Sequence, residues 1–344
     1  MRVGCWINCN PARTPAAPEN TGIWLDSTLV HAIGIDIGGT KIAGGLVAED
    51  GTIVRQERRP TPAGDGESII AAVVEVVESL RAGEQVAAVG VAAPGFIDAA
   101  QSTVYYTPNI PWRSEPLRAD LSSRLPGLDI TIDNDANAAG WAEYRFGAGR
   151  GYSDMTLLTI GTGVGGAIVT GGRLLRGGFG AAAEIGHMRV VPGGLPCGCG
   201  QRGCIEQYGS GRALLRFANE MADQRGIGQA LAAARAEHGE LDGHLVYDLI
   251  VAEDPGALFA LRELGGWLGQ AAASISAVLD PQVFVFGGGV AAAGELLLDP
   301  IREAYLAHLP ARGFHPEPEF ATAELVNDAG VVGAADIARS HAIR

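Results

Sequence analysis

The sequence predicts an α/β protein of two lobes, because one order of segments occurs twice along the chain. In each half a short apolar strand leads into a glycine-rich turn, a hairpin follows, and strand–helix units come after it. Neither half could close around a small ligand alone, so we expect the two to face each other across a cleft. The length of 344 residues agrees with two domains of roughly 150 residues each.

The first half opens with the apolar run His31–Ile37, which predicts a buried strand. Residues 42–48 and 52–56 flank an Asp-Gly pair, which tolerates the positive φ of a tight turn, so they predict a hairpin. Apolar residues recur at helical spacing over residues 66–82, and Asp65 is placed to cap that helix. Two further buried strands are predicted at residues 86–92 and 130–132. This order predicts a mixed sheet covered by a helix.

The second half repeats the theme. Met155–Ile160 predicts a strand, and the glycine-rich segment Gly161–Gly166 predicts the turn after it. The remaining predicted elements are hairpin strands at residues 167–170 and 173–175, a helix at residues 257–279 and a strand at residues 283–286 that leads into Gly287–Gly289. The helix is expected to turn these side chains inward: Leu261, Leu264, Leu268, Ala272, Ile275 and Val278.

Composition excludes several classes of protein. Hydrophobic residues make up 47% and charged residues 19% of the chain, which is typical of a globular protein with a large core. Acidic residues outnumber basic ones by 39 to 25, whereas a nucleic-acid-binding protein must neutralise phosphates with Lys and Arg. No apolar run reaches the roughly 18 residues of a membrane span, and the N-terminus lacks a secretory-signal pattern. We therefore expect a soluble, cytoplasmic protein with no nucleic-acid or membrane partner.

The glycine-rich turns are candidate phosphate sites. Gly161, Gly163 and Gly166 match a dinucleotide-binding fingerprint, but that fingerprint must open a helix, and here a hairpin is predicted instead. What remains is a turn whose backbone N–H groups can approach phosphate oxygens closely. The earlier turn, Asp36–Thr40, offers the same and adds a carboxylate suited to Mg²⁺ or its waters. Most Gly-Gly turns are only hairpins, so each signal is weak by itself.

Asp135 is a candidate general base. The segment Asp133–Ala139 follows a strand and begins a helical pattern. A carboxylate at a helix N-terminus is expected to stay ionised at neutral pH because the helix dipole favours its charge. The competing interpretation is that Asn134 and Asp135 only start a helix, as Asn and Asp commonly do.

The most specific motif is a cluster of metal-ligand residues. Cys197, Cys199 and Cys204 lie within eight positions of one another, and His187 precedes them by ten. Three thiolates and one imidazole complete a tetrahedral zinc shell with no open position, so this zinc would be structural. It would fix the loop that carries Glu184, His187 and Glu206. The alternative is three reduced cysteines that are neighbours only in sequence; Cys5 and Cys9 are expected to be inert thiols.

Together these motifs resemble the ROK family of sugar kinases and sugar-responsive repressors. The resemblance covers about residues 31–344 and keeps the family's order. The matching segments are Asp36–Lys41, Pro108–Trp112, Asn134–Asn137, Gly161–Gly166, Glu184–His187, the cysteine loop through Glu206, and Phe286–Gly289. The resemblance implies a bilobed actin-like, hexokinase-like ATPase fold with ATP and a sugar in the cleft.

The resemblance also implies a role for individual residues. Asp135 corresponds to the catalytic base, and the implied sugar-binding residues are Asn109, Asn134, Asp135, Glu184, His187 and Glu206. The implied nucleotide- and magnesium-binding residues are Asp36, Gly38, Gly39, Thr40, Lys41, Gly161, Thr162, Gly163, Gly287, Gly288 and Gly289. The implied zinc ligands are His187, Cys197, Cys199 and Cys204.

The expected organisation and activity follow from the same resemblance. Residues 1–30 are expected to be a flexible extension, unless the true start lies nearer Leu29. Residues 31–138 would form a small domain joined by a C-terminal helix at about 330–344, and residues 139–329 a large domain with the zinc loop at 187–204. The family tends to form dimers or tetramers.

The implied activity is ATP-dependent phosphorylation of glucose at the 6-hydroxyl. The alternatives are a kinase of mannose, fructose, allose or an N-acetyl amino sugar, a polyphosphate user, or a sugar-sensing repressor. Against the repressor, no helical periodicity precedes Asp36, whereas repressors of the family carry an N-terminal helix-turn-helix.

Overall fold

A computed structural model of the chain describes residues 31–107, 110–224 and 226–342. The predicted extension at residues 1–30, with Cys5 and Cys9, and the predicted sugar ligand Asn109 lie outside these residues. None of the helices in the described ranges combines the length and the apolar character that a bilayer crossing needs.

The described chain contains α-helices and β-strands in alternation. The strands are β1 His31–Ile37, β2 Lys41–Val47, β3 Ile53–Pro60, β4 Val86–Ala93, β5 Phe96–Ile97, β6 Val104–Tyr106, β7 Arg113–Glu115, β8 Asp129–Asn134, β9 Met155–Ile160, β10 Val164–Thr170, β11 Arg173–Leu174, β12 Val283–Gly287 and β13 Glu319–Thr322. The helices are α1 Gly66–Arg81, α2 Leu117–Arg124, α3 Asp135–Phe146, α4 Glu206–Gly209, α5 Gly211–Ala222, α6 Gln229–His238, α7 Gly243–Val251, α8 Pro255–Leu279, α9 Glu295–His308 and α10 Ala329–Ala342. Short 3₁₀ segments occur at Ile185–His187, Gly289–Ala293 and Val326–Asp328.

Two sheets of five strands share one topology. The first has the order β3-β2-β1-β4-β8 and the second the order β11-β10-β9-β12-β13. In each, three antiparallel strands from two hairpins are extended by two strands parallel to the central one. Because parallel strands end at the same edge, β1 and β8 bring Asp36 and Asn134 to one edge of the first sheet. The repeated order predicted from the sequence is confirmed.

Helices α3 and α10 join the two halves. A Cβ built on Gly34 of β1 would lie 1.8 Å from the carbonyl oxygen of Val331, and one on Gly90 of β4 equally close to that of Ala334. Helix α10 therefore rests its backbone directly on the first sheet, where only glycine leaves room. On α3, the Cβ of Ala167 in β10 would lie 2.3 Å from a Cβ built on Gly140, so α3 packs on the second sheet.

Most predicted helices and strands are confirmed, and most of their ends lie within one or two residues of the predicted ones. Helix α1 begins where Asp65 accepts a hydrogen bond from the backbone N–H of Ser68 at 2.6 Å. Strand β2 begins at Lys41 and β3 continues to Pro60, so the first hairpin is longer than predicted. The division into domains at residue 138 stays a prediction; α3 runs across it.

Two predictions about the second half are wrong. The turn after β9 is shorter than Gly161–Gly166, because Gly165 and Gly166 already pair with β9 as part of β10. Val278 does not face the core: its side chain is 81% exposed. In the last turn of α8 the residue that faces the core is Leu279, four residues after the buried Ile275. Leu279 packs against the core of the second half.

We expect Gly90→Ala to lower the free energy of unfolding by about 2 kcal/mol or more, because the added methyl group collides with the backbone of α10 and the helix must shift. The matched control is Gly266→Ala on α8, where an added Cβ meets nothing within 4 Å and should stabilise the helix by roughly 0.5–1 kcal/mol. Urea denaturation of both variants measures the difference. Equal stability of the two variants would contradict this packing of α10.

Candidate active site

The candidate base, Asp135, is the first residue of α3 and follows β8 directly. Asn134 caps the helix by accepting a hydrogen bond from the N–H of Asn137 at 3.0 Å, and its amide donates to the carbonyl oxygen of Gly95 at 3.0 Å. Asp135 itself accepts a hydrogen bond from the N–H of Ala136 at 2.9 Å. The helix-start interpretation therefore applies to Asn134.

Burial dominates the electrostatics of Asp135. The helix dipole at the start of α3 favours the ionised form of this carboxyl group. Burial acts in the opposite direction and is the larger effect, so the pKa of Asp135 is raised, although the backbone N–H of Ala136 counteracts it. A raised pKa makes the carboxylate a stronger base than a solvent-exposed aspartate.

Asp135 interacts electrostatically with two other carboxylates, Asp36 and Glu184, and Glu184 interacts in turn with Glu206. Burial and the charge of Asp135 raise the pKa of Asp36 to about 6, with Lys41 acting against them. Burial and the charges of Asp135 and Glu206 raise the pKa of Glu184 to about 7. Asp36 and Asp135 come from the first half, and Glu184 and Glu206 from the second. All four side chains are partly exposed, so a ligand can reach each of them.

The cysteine cluster assembles through a tight turn. The N–H of Cys197 donates to the carbonyl oxygen of Gln201 at 2.8 Å, and a β-bridge pairs Arg189 with Cys204 next to His187. The candidate ligand atoms of His187, Cys197, Cys199 and Cys204 all lie within 4.8 Å of one another.

The cluster has the size of a zinc site. The Sγ atoms of Cys199 and Cys204 are 3.7 Å apart, and Nδ1 of His187 lies 3.7 Å from Sγ of Cys197. The S–S edge of a tetrahedron with Zn–S bonds of 2.3 Å is about 3.8 Å. Burial, followed by the neighbouring thiols, raises the pKa of Cys204 to about 12, so only a bound cation would make its thiolate stable. The donors therefore fit a four-coordinate structural zinc ion.

Glu206 connects this loop with the glycine turn after β9. Its Oε1 lies 3.8 Å from Sγ of Cys197 and 3.5 Å from Nη2 of Arg212. A Cβ on Gly163 would lie 2.3 Å from Oε2 of Glu206, so glycine is required for the turn to lie against this carboxylate. Arg212 also donates to the carbonyl oxygen of Thr162 at 2.9 Å.

The two glycine turns of the second half lie side by side. Gly288 adopts a positive φ of 85°, and a Cβ there would lie 2.5 Å from the carbonyl oxygen of Ile160. The N–H of Gly211, at the start of α5, donates to the carbonyl oxygen of Gly161 at 2.8 Å. On the first half, the N–H of Gly38 closes its turn on the carbonyl oxygen of Lys41 at 2.9 Å. A Cβ added to Gly39, Gly161 or Gly289 would meet nothing within 4 Å, so each turn has an open face, as phosphate binding requires.

Three functional candidates escaped the sequence analysis. Asp133, one residue before Asn134, is nearly buried and accepts hydrogen bonds from Arg176 and Gln101. Asp133 belonged to the recognised segment, but nothing in the sequence links it to Arg176, 43 residues later. Only the folded chain brings these groups together.

Comparison with known proteins agrees with this geometry. The family model described as "ROK family" matches residues 32–341. A glucokinase of Streptomyces coelicolor is 45% identical over 310 residues, which cover 89% of this chain and 97% of that protein. An N-acetylmannosamine kinase of Escherichia fergusonii is 34% identical over 308 residues, covering 89% and 98%. A crystal structure of a ROK family glucokinase from Streptomyces griseus, in complex with glucose and AMPPNP, has a TM-score of 0.80 and 44% identity over 90% of this chain and 99% of that one.

A bilobed α/β fold with these motifs defines a member of the actin-like class of ATPase folds, and the expected fold is confirmed. The chain belongs to the ROK family.

We expect the purified protein to contain about one zinc ion per chain, and Cys199→Ser to lose most of it, since three ligands hold zinc far less tightly than four. The melting temperature should then fall by more than about 5 °C, because binding of the ion contributes to folding. Elemental analysis and thermal unfolding measure both quantities. The control is Gln201→Ser in the same loop, where the backbone carbonyl alone makes a described hydrogen bond. A zinc-free wild type with the melting temperature of Cys199→Ser would contradict the assignment.

Proposed function

We propose that this protein is an ATP-dependent glucokinase that transfers the γ-phosphoryl group of ATP to the 6-hydroxyl of glucose, with Asp135 as general base. The observation that carries the proposal is that Asp135 lies near enough to Glu184 of the opposite half for their charges to interact, while Glu206 lies against the glycine turn at Gly163. The similarity to glucokinases over nearly the whole chain supports the same activity.

The sugar would lie among the carboxylates. Glu184 and Glu206 offer acceptors for sugar hydroxyl groups, and the loop that holds them is fixed by the zinc cluster. Nδ1 of His187 faces Cys197, which leaves Nε2 for a sugar hydroxyl. Asn134 already accepts one bond with Oδ1 and donates one with Nδ2 within the protein, so its contribution would be the second lone pair of Oδ1 or the second N–H of Nδ2. Asn109, outside the described residues, remains proposed from the resemblance alone.

Proton transfer would take place at Asp135. Its carboxylate would accept the proton of the 6-hydroxyl as that oxygen attacks phosphorus, which is general base catalysis. The raised pKa of Asp135 favours this transfer. Closure of the cleft would exclude water, which would otherwise compete with the sugar for the phosphoryl group.

The nucleotide would lie along the glycine turns. Backbone N–H groups of the turns at Gly38–Lys41, Gly161–Gly163 and Gly287–Gly289 would contact phosphate oxygens. Asp36 would hold Mg²⁺ directly or through water; a cation there would offset the burial and the charge of Asp135 that raise the pKa of Asp36. When bound, Mg²⁺ supplies charge neutralisation on the transferred group. The Gly39–Lys41 turn is of the form that the resemblance associates with ATP and not with polyphosphate.

The other expectations drawn from the resemblance remain proposals of the same rank. They are the homodimer or homotetramer, the domain boundary at residue 138 and the cytoplasmic location, where ATP is abundant and thiols such as those of the cluster stay reduced.

We expect Asp135→Asn to lower kcat by roughly 10²–10⁴-fold while glucose still binds with a similar Kd, because the amide has the shape of the carboxylate and cannot accept the proton. ADP release measures the rate and calorimetry the binding. Asp65→Asn is the control, since Asp65 also stands at a helix N-terminus and Asn caps a helix equally well. Near-normal turnover by Asp135→Asn would assign the base to another group.

The choice of sugar is tested separately. We expect the highest kcat/KM with glucose and ATP in a coupled ADP-release assay over glucose, mannose, fructose, allose and N-acetylmannosamine. The similarity to an N-acetylmannosamine kinase favours that sugar as the second candidate, because a few pocket hydrogen bonds decide between related hexoses. Polyphosphate in place of ATP, with glucose 6-phosphate as the product measured, should support little turnover. If kcat/KM is higher with N-acetylmannosamine than with glucose, N-acetylmannosamine is the preferred substrate and the proposal of glucose is wrong.

A further inference from the structure

The Asp133 carboxylate collects hydrogen bonds from three separate parts of the chain. Its Oδ1 accepts from the N–H of Asn134 at 2.9 Å and from Nδ2 of Asn137 at 3.1 Å. Its Oδ2 accepts from Nε2 of Gln101 at 2.9 Å and from Nε and Nη2 of Arg176 at 2.8 and 2.6 Å. Asp133 lies two residues before the proposed base and on the same turn, so these bonds set the position of that turn.

Arg176 is the one of these partners that comes from the second half. It follows β11, the edge strand of the second sheet, whereas Asp133 lies on β8, the edge strand of the first. The Asp133 side chain is 4% exposed and that of Arg176 24%. A partly buried ion pair with two hydrogen bonds to one carboxylate oxygen is held more firmly than a pair of exposed side chains.

The backbone of Arg176 closes the loop that leads to Glu184. Its carbonyl oxygen accepts a hydrogen bond from the N–H of Ala182 at 3.1 Å, two residues before Glu184. Within this loop Gly180 lies against the first half: a Cβ there would be 2.2 Å from the carbonyl oxygen of Ile97. Arg176 therefore contacts both parts of the site. Its backbone closes the loop that leads to Glu184, and its side chain binds Asp133 on the turn that carries Asp135.

We propose that Arg176 is a positioning residue that, through Asp133, fixes the Asp135 carboxylate relative to the sugar held by Glu184. This proposal rests on the proposed function. Arg176 contributes to kcat because the base must stand within hydrogen-bond reach of the reacting hydroxyl, and a displacement of about 1 Å can cost roughly a hundredfold in rate. It contributes little to sugar affinity, since its side chain is engaged by Asp133.

The experiment compares kcat and KM of Arg176→Met, Arg176→Lys, Asp133→Asn and the double variant Asp133→Asn/Arg176→Met. The sugar is the one that the wild type turns over fastest. We expect Arg176→Met to lower kcat about 10–100-fold with KM for sugar and for ATP within about threefold of wild type, and Arg176→Lys, which keeps the charge but not the paired bonds, to lie between. In the Asp133→Asn background the same Arg176→Met change should cost less than about threefold, because the partner through which Arg176 acts is already altered.

Arg173→Met is the matched control. Arg173 lies three residues earlier on β11 and is exposed, and it forms no ion pair with any residue in the described ranges, so its loss should leave kcat unchanged. The melting temperature of each variant is measured by thermal unfolding, and all assays are run below the lowest of these temperatures. If Arg176→Met does not fold, Arg176→Lys is judged by the same split, with a kcat at least about threefold below wild type at unchanged KM as the expected result.

Unchanged kcat in the folded Arg176 variant, a rise in KM alone, or full additivity with Asp133→Asn would overturn the inference while the proposed function stands. A wild type that phosphorylates none of the sugars would overturn both.

Discussion

Partly buried carboxyl groups lie close together in this protein, and the rest of the site depends on how the cost of their burial and of their like charges is offset. Burial, followed by the charge of Asp135, raises the pKa of Asp36 to about 6 and that of Glu184 to about 7. Like charges in a partly buried site cost free energy that the fold must supply. The proposed ligands reverse this cost: sugar hydroxyls donate hydrogen bonds to carboxylates, and Mg²⁺ attracts Asp36. Binding of these ligands would therefore lower the cost of keeping the carboxylates ionised.

Two rigid supports hold this crowded site together. On the second half, the cysteine loop carries His187 and ends at Glu206, so a zinc ion there would fix sugar-binding groups without taking part in the chemistry. On the first half, Asp133 anchors the turn that presents Asp135. Helix α10 packs on the first sheet and α3 on the second, and the two helices contact each other as closely as Gly333 against the carbonyl oxygen of Ala138. These contacts join the two halves of the site.

The sequence predicted the local parts of this arrangement better than the contacts between them. Strands and turns could be read from apolar runs and from Asp-Gly and Gly-Gly pairs, and the zinc ligands from their spacing, because those signals lie within a few residues. Val278 was placed wrongly because helical spacing alone does not tell where a helix leaves the core. The pKa of Asp135 was judged from its helix dipole, since burial cannot be read from neighbours in sequence. The hydrogen bonds between Asp133 and Arg176 join positions 43 residues apart, so no local sequence pattern indicates them. The roles of the individual site residues rest on the resemblance and on geometry.

The most direct test of the account is a crystal structure of the protein with glucose and a non-hydrolysable ATP analogue. The account predicts a carboxylate oxygen of Asp135 within about 2.6–3.2 Å of the sugar 6-hydroxyl, with Glu184 and Glu206 bonded to other hydroxyls of the same sugar. A complex in which the 6-hydroxyl points away from Asp135, toward a different base or toward solvent, would contradict it.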